Sequence, residues 1–276
     1  MKIQSLENTP FEVILQCFFD AFADYFVDVR MPVEFWHSRW KADRVNFSHS
    51  YGVFDDDNLV GFILNGIGYR DGKKTAFNAG TGVIPKYRGQ RLVKKMYEAF
   101  LPELKSIGIE NCALEVITEN KKAVKAYQSV GMQITRHYIC YNGPFQISDF
   151  DQEVIVKKVE TPSWDTYADF QREGYSWGNS RTSVELYDSF EAYEMWSKSQ
   201  LKGYFLIDPE KSTLAQFEVK NNDWETWGKP LFRKVSEISS TIKINNQDNK
   251  NKARIRFLNQ INLPVTIEQF EMEMVV

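Results

Sequence analysis

The spacing of apolar residues changes from helical to strand-like within the first third of the chain. Over residues 10–26 apolar side chains recur at steps of three and four, which is typical of an amphipathic helix. Thr9 fits the N-cap of this helix and Pro10 its first turn. A second helix is predicted from Pro32 onward, and its aromatic stripe is more typical of buried core than of a ligand site.

Short β-type runs follow, separated by turn residues, before helical spacing returns. The Asp71-Gly72 pair suits a hairpin turn. We predict three antiparallel strands over residues 51–54, 59–64 and 75–83, then a helix over 91–107, a strand over 113–118, a helix over 121–130 and a strand over 134–141. This order, two helices and three strands followed by αβαβ, predicts an α/β fold around a mixed sheet.

A domain boundary is predicted near residue 145, because the Asn142-Gly143-Pro144 run is typical of a break in regular structure. Residues 1–142 carry 18 basic and 16 acidic residues, whereas residues 143–276 carry 16 and 21. The second part repeats the first in outline, with a helix over 184–196, strands over 203–207 and 214–219, and a helix over 231–238. A shift of 130 lays Phe257 on Tyr127. We therefore predict domains at 1–142 and 143–276.

Composition narrows the class of protein. The 34 basic and 37 acidic residues nearly cancel, which argues against a nucleic-acid partner. No run of 18 apolar residues predicts a membrane span, so we expect a cytoplasmic protein. The three cysteines and three histidines lack the spacing of metal ligands, and the cysteines are expected to be buried and reduced.

The segment V-I-P-K-Y-R-G-Q-R-L-V, from Val83 to Val93, lies between a predicted strand and the long helix. A loop in that place can turn several backbone N–H groups toward one point, where the helix N-terminus adds partial positive charge. Arg88 and Arg91 add side-chain donors, and Gly89 allows close backbone approach. The segment predicts an anion site suited to a pyrophosphate.

The next strand–helix unit carries N-x-x-A-x-x-x-Y-x-x-x-G, at Asn120, Ala123, Tyr127 and Gly131. Together with the loop, it resembles the Gcn5-related N-acetyltransferase (GNAT) superfamily, whose loop reads roughly V-x-P-x-Y-R-G-x-G-x-G/A and binds the pyrophosphate of acetyl-CoA. Arg91 and Val93 depart from that pattern, since the family has glycine, and glycine or alanine, at those places. The resemblance covers residues 1–142.

The resemblance implies that two strands splay apart around the pantetheine arm, and that an amine attacks the thioester directly. The cofactor-binding residues it implies are Val83, Ile84, Arg88, Gly89, Gln90, Arg91, Leu92, Val93, Asn120, Ala123 and Tyr127. Tyr127 matches the family tyrosine that protonates the departing thiolate, and Asn120 is expected to bond the pantetheine region. Glu115, on the strand beside the expected cleft, is our candidate for general base, with a partly solvated strand glutamate as the alternative. Asn78 and Thr81 are candidates for orienting the substrate.

The second part has no comparable loop between Val219 and Ile244. We predict a smaller, degenerate GNAT-like domain that does not bind CoA, or else an unrelated α+β domain. The function predicted for the whole chain is an acetyl-CoA-dependent N-acyltransferase acting on a small-molecule or protein amine. A non-catalytic CoA-binding regulator and a purely structural tandem protein are the alternatives. A homodimer is compatible with the sequence, which does not specify the oligomeric state.

Overall fold

The computed structural model describes residues 1–170 and 174–276, which form two compact units. Unit 1 comprises Met1–Thr135 together with Phe270–Val276, and unit 2 comprises Arg136–Gln269. This division differs from the predicted boundary after residue 142. The run Asn142-Gly143-Pro144 does not break the chain, because it forms the end of a strand in which Gly143 pairs with Ile242.

Unit 1 begins with a short strand that the hydrophobic pattern did not indicate, and then follows the predicted order. The first helix ends at Ala21 rather than near Phe26, and Pro10 is its N-cap with no side-chain capping bond. The elements of unit 1 are β1 (Lys2–Ser5), α1 (Phe11–Ala21), α2 (Val33–Ala42), β2 (Tyr51–Asp55), β3 (Asn58–Arg70), β4 (Lys73–Val83), α3 (Leu92–Ser106), β5 (Asn111–Ile117), α4 (Lys121–Gln128) and the start of β6 (Gln133–Pro144).

The sheet of unit 1 has the order β1-β2-β3-β4-β5, followed by the chain's last strand. β4 pairs antiparallel with β3 and parallel with β5. One apolar cluster joins the sheet to α3 and α4 and includes Met96, Phe100 and Leu114. A second cluster, around Phe18 and Trp40, joins it to α1 and α2, so the aromatic stripe is core as predicted.

Unit 2 repeats this succession of elements. They are β7 (Ile155–Val159), α5 (Trp164–Ala168), α6 (Arg181–Glu185), β8 (Glu191–Ser197), β9 (Gln200–Asp208), β10 (Thr213–Val219), α7 (Trp224–Ile238), β11 (Thr241–Asp248), α8 (Lys252–Gln260) and β12 (Val265–Val275), whose last residues belong to unit 1. The predicted helix over 184–196 is wrong, because α6 ends at Glu185 and β8 occupies residues 191–196. β8 pairs with β7 on one side and β9 on the other, and a short apolar run cannot be told from helix by periodicity alone.

The two units can be aligned at the helix that follows their parallel strand. Asn120 caps α4 by accepting the Ala123 N–H at 3.1 Å, and Asn251 caps α8 by accepting the Arg254 N–H at 3.1 Å. The offset is therefore 131, one more than predicted from the sequence, because the caps set the register. Arg254 then corresponds to Ala123, and Leu258, rather than Phe257, corresponds to Tyr127.

The three cysteines are free and buried, as predicted. Burial, aided by Asp20, raises the pKa of Cys17 to about 12, and burial raises the pKa of Cys112 to about 12. These two thiols are therefore poor nucleophiles at neutral pH. Among the described residues, no helix is long and apolar enough to cross a membrane.

Candidate acyl-CoA site

The central strands of unit 1 separate into a cleft. β4 and β5 pair from Thr75 opposite Asn111 to Asn78 opposite Leu114, and no further. β4 nevertheless continues to Val83, still paired with β3. The register with β3 shifts beside Asn78, where the side-chain Oδ1 accepts the Gly80 N–H at 3.1 Å. This bulge bends β4 away from β5 and opens the splayed edge that the resemblance implied.

The backbone groups of β4 divide between its two edges. The Ile84 N–H donates to Val60 O at 3.0 Å, so this N–H is used within the sheet and is not available to the cofactor, although the resemblance implied Ile84 as a cofactor-binding residue. Because N–H groups alternate along an antiparallel ladder, those of Val83 and Thr81 point to the other edge, toward the cleft. A pantetheine amide could pair there as an added strand.

The loop after β4 presents amides at the start of α3. The first helical bond runs from the Lys95 N–H to Arg91 O, at 3.1 Å. The N–H groups of residues 91–94 have no acceptor in the described part of the chain, and the N-cap residue, Arg91, provides no side-chain cap. Four successive free amides at a helix N-terminus fit a pyrophosphate. The N–H groups of Leu92 and Val93 are two of these four, and their contact with the cofactor stays a prediction.

Arg91 occupies a conformation that explains the glycine of the family pattern. Its φ and ψ are 56° and 29°, in the left-handed region that glycine adopts freely. Gly89 also has a positive φ, 80°, and a Cβ at this position would meet no atom within 4 Å. The loop therefore has the backbone course of a glycine-rich loop, although one of its glycines is replaced. Gln90 and Arg91 are exposed beside the free amides.

The guanidinium of Arg88 is held inside unit 1. It donates to both carboxylate oxygens of Asp24, at 2.6 and 2.7 Å, to Ala21 O at 2.9 Å and to Val83 O at 3.0 Å. Four of its five N–H groups are used in this way. In this arrangement Arg88 ties the end of α1 to the loop, and its predicted contact with the cofactor would require some of these bonds to be exchanged.

Asn120 is the N-cap of α4, and Ala123 lies in the first turn of this helix. Tyr127 lies further along α4 and faces the cleft, close to the side chains of Thr81 and Asn78. Tyr127 is 9% exposed. Burial raises its pKa to about 12, although the neighbouring Thr81 and Asn78 side chains act in the opposite direction. The phenol is therefore protonated at any physiological pH, which is the state that can donate a proton. The Asn120 side chain is engaged in capping, so its predicted bond to pantetheine would use its amide hydrogens.

Asn78 and Thr81 lie at the apex of the cleft and bond to each other. The Asn78 Nδ2 also donates to the Tyr97 hydroxyl at 3.0 Å, and the rings of Tyr97 and Tyr127 are 6.5 Å apart. Tyr97 has the spacing of a core residue in α3, so sequence reasoning missed it. The apex thus combines neutral hydroxyls and amides, which can bind polar groups of a ligand without introducing a charge.

Glu115 lies on β5 and is partly buried. Its neighbours Leu114 and Val116 pack into the cluster with α3 and α4, so the carboxylate points to the opposite face of the sheet. This is compatible with an approach by the acceptor from that side, and the role of Glu115 as general base stays a prediction.

A buried ion pair that the sequence did not indicate is also present in unit 1, between Arg70 and Glu271, at 2.5 and 2.9 Å.

Unit 2 has a cleft in the same place, and it is filled by its own side chains. β10 and β11 pair at Thr213 and Lys243 and then diverge. Arg254 reaches into the gap, where it donates to Gln247 Oε1 at 3.0 Å and to a Glu218 carboxylate oxygen. Burial lowers the pKa of Arg254, but Glu218 together with Tyr175 and Tyr204 outweighs this effect, and the net shift is upward. All three residues are at most 6% exposed.

The phosphate end of this second cleft also differs. Residues 220–223 connect β10 to α7, whereas residues 84–91 connect β4 to α3. The carboxylate of Asp223 caps α7 by accepting the Thr226 N–H at 3.1 Å. A short connection and an acidic cap leave this helix N-terminus unsuited to a phosphate.

Comparisons with known proteins agree with this geometry. Residues 12–132 match the model of the acetyltransferase (GNAT) family. A GCN5-related N-acetyltransferase from Sphaerobacter thermophilus superposes with a TM-score of 0.72 at 10% identity, covering 99% of this chain and 95% of that one. A Pyrococcus horikoshii protein assigned as an acetyltransferase gives 0.69 at 15% identity, covering 100% and 89%. No curated protein sequence matches the chain.

A tandem GNAT protein from the clavulanic acid biosynthesis pathway also superposes over 99% of this chain and 98% of its own, with a TM-score of 0.66 at 10% identity. At these identities the superpositions show the fold. The family match covers residues 12–132, less than half of the chain, and this part is therefore similar to the GNAT acetyltransferase family.

Proposed function

We propose that this protein is an acyl-CoA-dependent N-acyltransferase that transfers an acetyl group from acetyl-CoA to a primary amine, of a small molecule or of a protein. The observation that carries the proposal is the pairing of two features in unit 1. Four free amides open α3, and a cleft between β4 and β5 leads from the end of the β4 strand to a buried phenol. In this proposal the diphosphate, the pantetheine arm and the thioester would follow one another along that path.

The described residues fit this cofactor by their donor set. Amides of residues 91–94 would hold the diphosphate, and the Thr81 and Val83 backbone would pair with the pantetheine arm. Bound acetyl-CoA would supply the activated acyl thioester. Because the donors are fixed before binding, the site would hold the thioester in one orientation, and such proximity contributes much of the rate of a direct transfer.

Tyr127 would donate its hydroxyl proton to the sulfur that leaves the thioester. Its protonated state is ensured by burial, and its position on α4 follows from the Asn120 cap. Glu115 would accept the proton of the attacking amine, through a water, from the opposite face of the sheet. No covalent intermediate on the protein is required.

Unit 2 would act as a degenerate GNAT-like domain without a cofactor. Arg254 stands where α4 has Ala123, and Asp223 caps the helix whose counterpart is open. Tyr127 corresponds to Leu258, which has no proton to donate. We infer that this unit has a structural or substrate-shaping role.

The first experiment is binding of acetyl-CoA by calorimetry and by thermal shift, since a ligand selective for the folded state raises the melting temperature. We expect one site per chain. Release of the thiol is then measured over a panel of amines. Binding without turnover on any amine would favour a non-catalytic regulator, and no binding would contradict the proposal.

The second experiment replaces Tyr127 with Phe. We expect kcat to fall by about 100-fold, within the range of a lost general acid, and the Kd for acetyl-CoA to change little. Tyr51→Phe is a matched control, because Tyr51 is a buried phenol of the same unit whose hydroxyl donates to the Glu103 carboxylate of α3 rather than into the cleft. Unchanged turnover in Tyr127→Phe would remove this residue from the mechanism.

A further inference from the structure

The segment between α1 and α2, residues 22–32, is tied to the phosphate loop by one side chain. We call it the α1–α2 loop. Arg88 of the phosphate loop holds Asp24 through two bonds of 2.6 and 2.7 Å, and it holds Ala21 O at the end of α1. The guanidinium of Arg88, in the loop of the proposed diphosphate site, is therefore bound to a carboxylate of the same chain, that of Asp24.

Tyr25, the residue after Asp24, connects this contact to the cleft. Its side chain lies beside Asn120, and it is close enough to Tyr127 to influence that phenol. Burial raises the pKa of Tyr25, and Asn120 partly offsets the shift. The Tyr25 ring packs on Phe22, with centroids 4.8 Å apart. The loop thus places a phenol next to two residues of the proposed pantetheine path.

The contact that holds the loop is one that an anion can displace. The side chains of Arg88 and Asp24 are 42% and 59% exposed, so an anion from solution can reach the ion pair. A diphosphate carries more negative charge than a carboxylate and accepts the same two-point pattern of guanidinium hydrogens. The free amides of residues 91–94 would hold it next to Arg88.

We propose that Asp24 and the diphosphate of the cofactor compete for Arg88, and that the α1–α2 loop moves Tyr25 away from the cleft when the diphosphate wins. Asp24 is then a positioning residue: it acts on the cofactor through Arg88, and it sets where the acceptor-side loop lies. The inference rests on the proposed function, because it assumes that a diphosphate binds at α3.

The decisive variant is Asp24→Asn, studied by calorimetry with acetyl-CoA. Removal of a competitor predicts tighter binding, by up to about five-fold, whereas a residue that merely stabilises the site would weaken binding when removed. Asp28→Asn is the matched control. It lies in the same loop and loses the same charge, but its carboxylate accepts the Arg30 N–H rather than a bond from Arg88. We expect less than a two-fold change in the control.

Two results would overturn the inference: binding by Asp24→Asn that is equal to or weaker than wild type, or equal tightening in Asp28→Asn, which would indicate a general field effect. Hydrogen exchange provides a second readout. Inorganic pyrophosphate, which has no pantetheine arm, should speed amide exchange in residues 22–31 of wild type. Unchanged or slower exchange at a saturating concentration would contradict the movement of the loop.

These outcomes separate the two proposals. If wild type binds acetyl-CoA but Asp24→Asn does not bind it more tightly, the competition is wrong and the proposed function stands. If wild type binds no acetyl-CoA, the proposed function fails, and the pyrophosphate measurement with both variants still decides whether Asp24 competes with an anion for Arg88.

Discussion

The two units place a cleft at the same point of the same succession of elements, and they fill it differently. In unit 1 the gap after Asn78 is bordered by neutral hydroxyl and amide groups. In unit 2 the gap is occupied by Arg254, which bridges Glu218 of β10 and Gln247 of β11. At the corresponding position of the helix, unit 1 has Ala123 and unit 2 has Arg254, and only the arginine reaches across the gap.

The helix termini differ in the same sense. α3 begins with free amides after an eight-residue connection, whereas α7 begins under an aspartate cap after four residues. In α7 the Asp223 carboxylate already accepts one of the N–H groups that would bind an anion, and its negative charge repels an anion. The comparison teaches that two units with the same succession of elements can differ in how well a helix N-terminus is prepared for an anion, because the capping residue and the connection length differ.

The largest effect is expected in unit 2, from Arg254→Met. Removal of the cation would leave Glu218, which is 1% exposed, as a buried carboxylate without its countercharge. Breaking a buried ion pair in this way costs about 3–5 kcal/mol. Urea denaturation should show a free energy of unfolding that is lower by that amount.

The control for this variant is the double replacement Glu218→Gln with Arg254→Met, which removes both charges and should recover most of the loss. Acetyl-CoA should bind both variants as it binds wild type, with one site per chain. A change in stoichiometry or affinity would mean that the second cleft takes part in cofactor binding, and the contrast between the units would be wrong.

A smaller effect is expected from the buried phenol of unit 1 at alkaline pH. The pKa of Tyr127 is raised from 10.0 to about 12, so between these values the unfolded chain loses a proton that the folded chain keeps. Stability is therefore complete below pH 10 and falls as the pH rises toward 12. The shift corresponds to about 2–3 kcal/mol.

The measurement compares urea denaturation at pH 9.5 and at higher pH for wild type and Tyr127→Phe. We expect the variant to lose less stability across this interval, because it has no phenol to ionise. Tyr69→Phe is the control, since Tyr69 is 74% exposed. Equal losses in wild type and Tyr127→Phe would show that this phenol is not held away from water.

The sequence predicted the parts of the site that depend on local spacing. The phosphate loop and the α4 motif could be predicted because the residues of each lie close together in the chain, where they resemble the GNAT pattern. The contacts of Arg88 with Asp24 and of Arg254 with Glu218 join residues that are 64 and 36 positions apart. No periodic pattern encodes such pairs, because they depend on how the strands diverge.

The one-residue error in the alignment of the two units has the same origin. Matching letters favoured an offset of 130, whereas the backbone aligns the two capping asparagines. Arg254 was therefore not seen to replace Ala123. Similarly, the strand β8 was predicted as helix, because its pairing on both edges is a long-range property.

The smallest expected effect concerns Arg91, and it tests whether this arginine strengthens the site or only replaces a glycine. Arg91→Gly removes a side chain from the left-handed conformation at φ 56°. The relief of about 1 kcal/mol is offset by the greater freedom of glycine in the unfolded chain, so the free energy of unfolding should change by less than about 1 kcal/mol. If the guanidinium contacts the diphosphate, acetyl-CoA should bind Arg91→Gly about five-fold more weakly than wild type, as expected for an exposed charge contact.

Arg91→Lys, which keeps a cation in the same conformation, should retain most of the affinity. Tighter binding by Arg91→Gly would instead show that glycine is the better residue at this position. The departure from the family pattern at Arg91 would then lower the affinity of unit 1 for the cofactor. In unit 2 the short connection and the Asp223 cap would lower that affinity further.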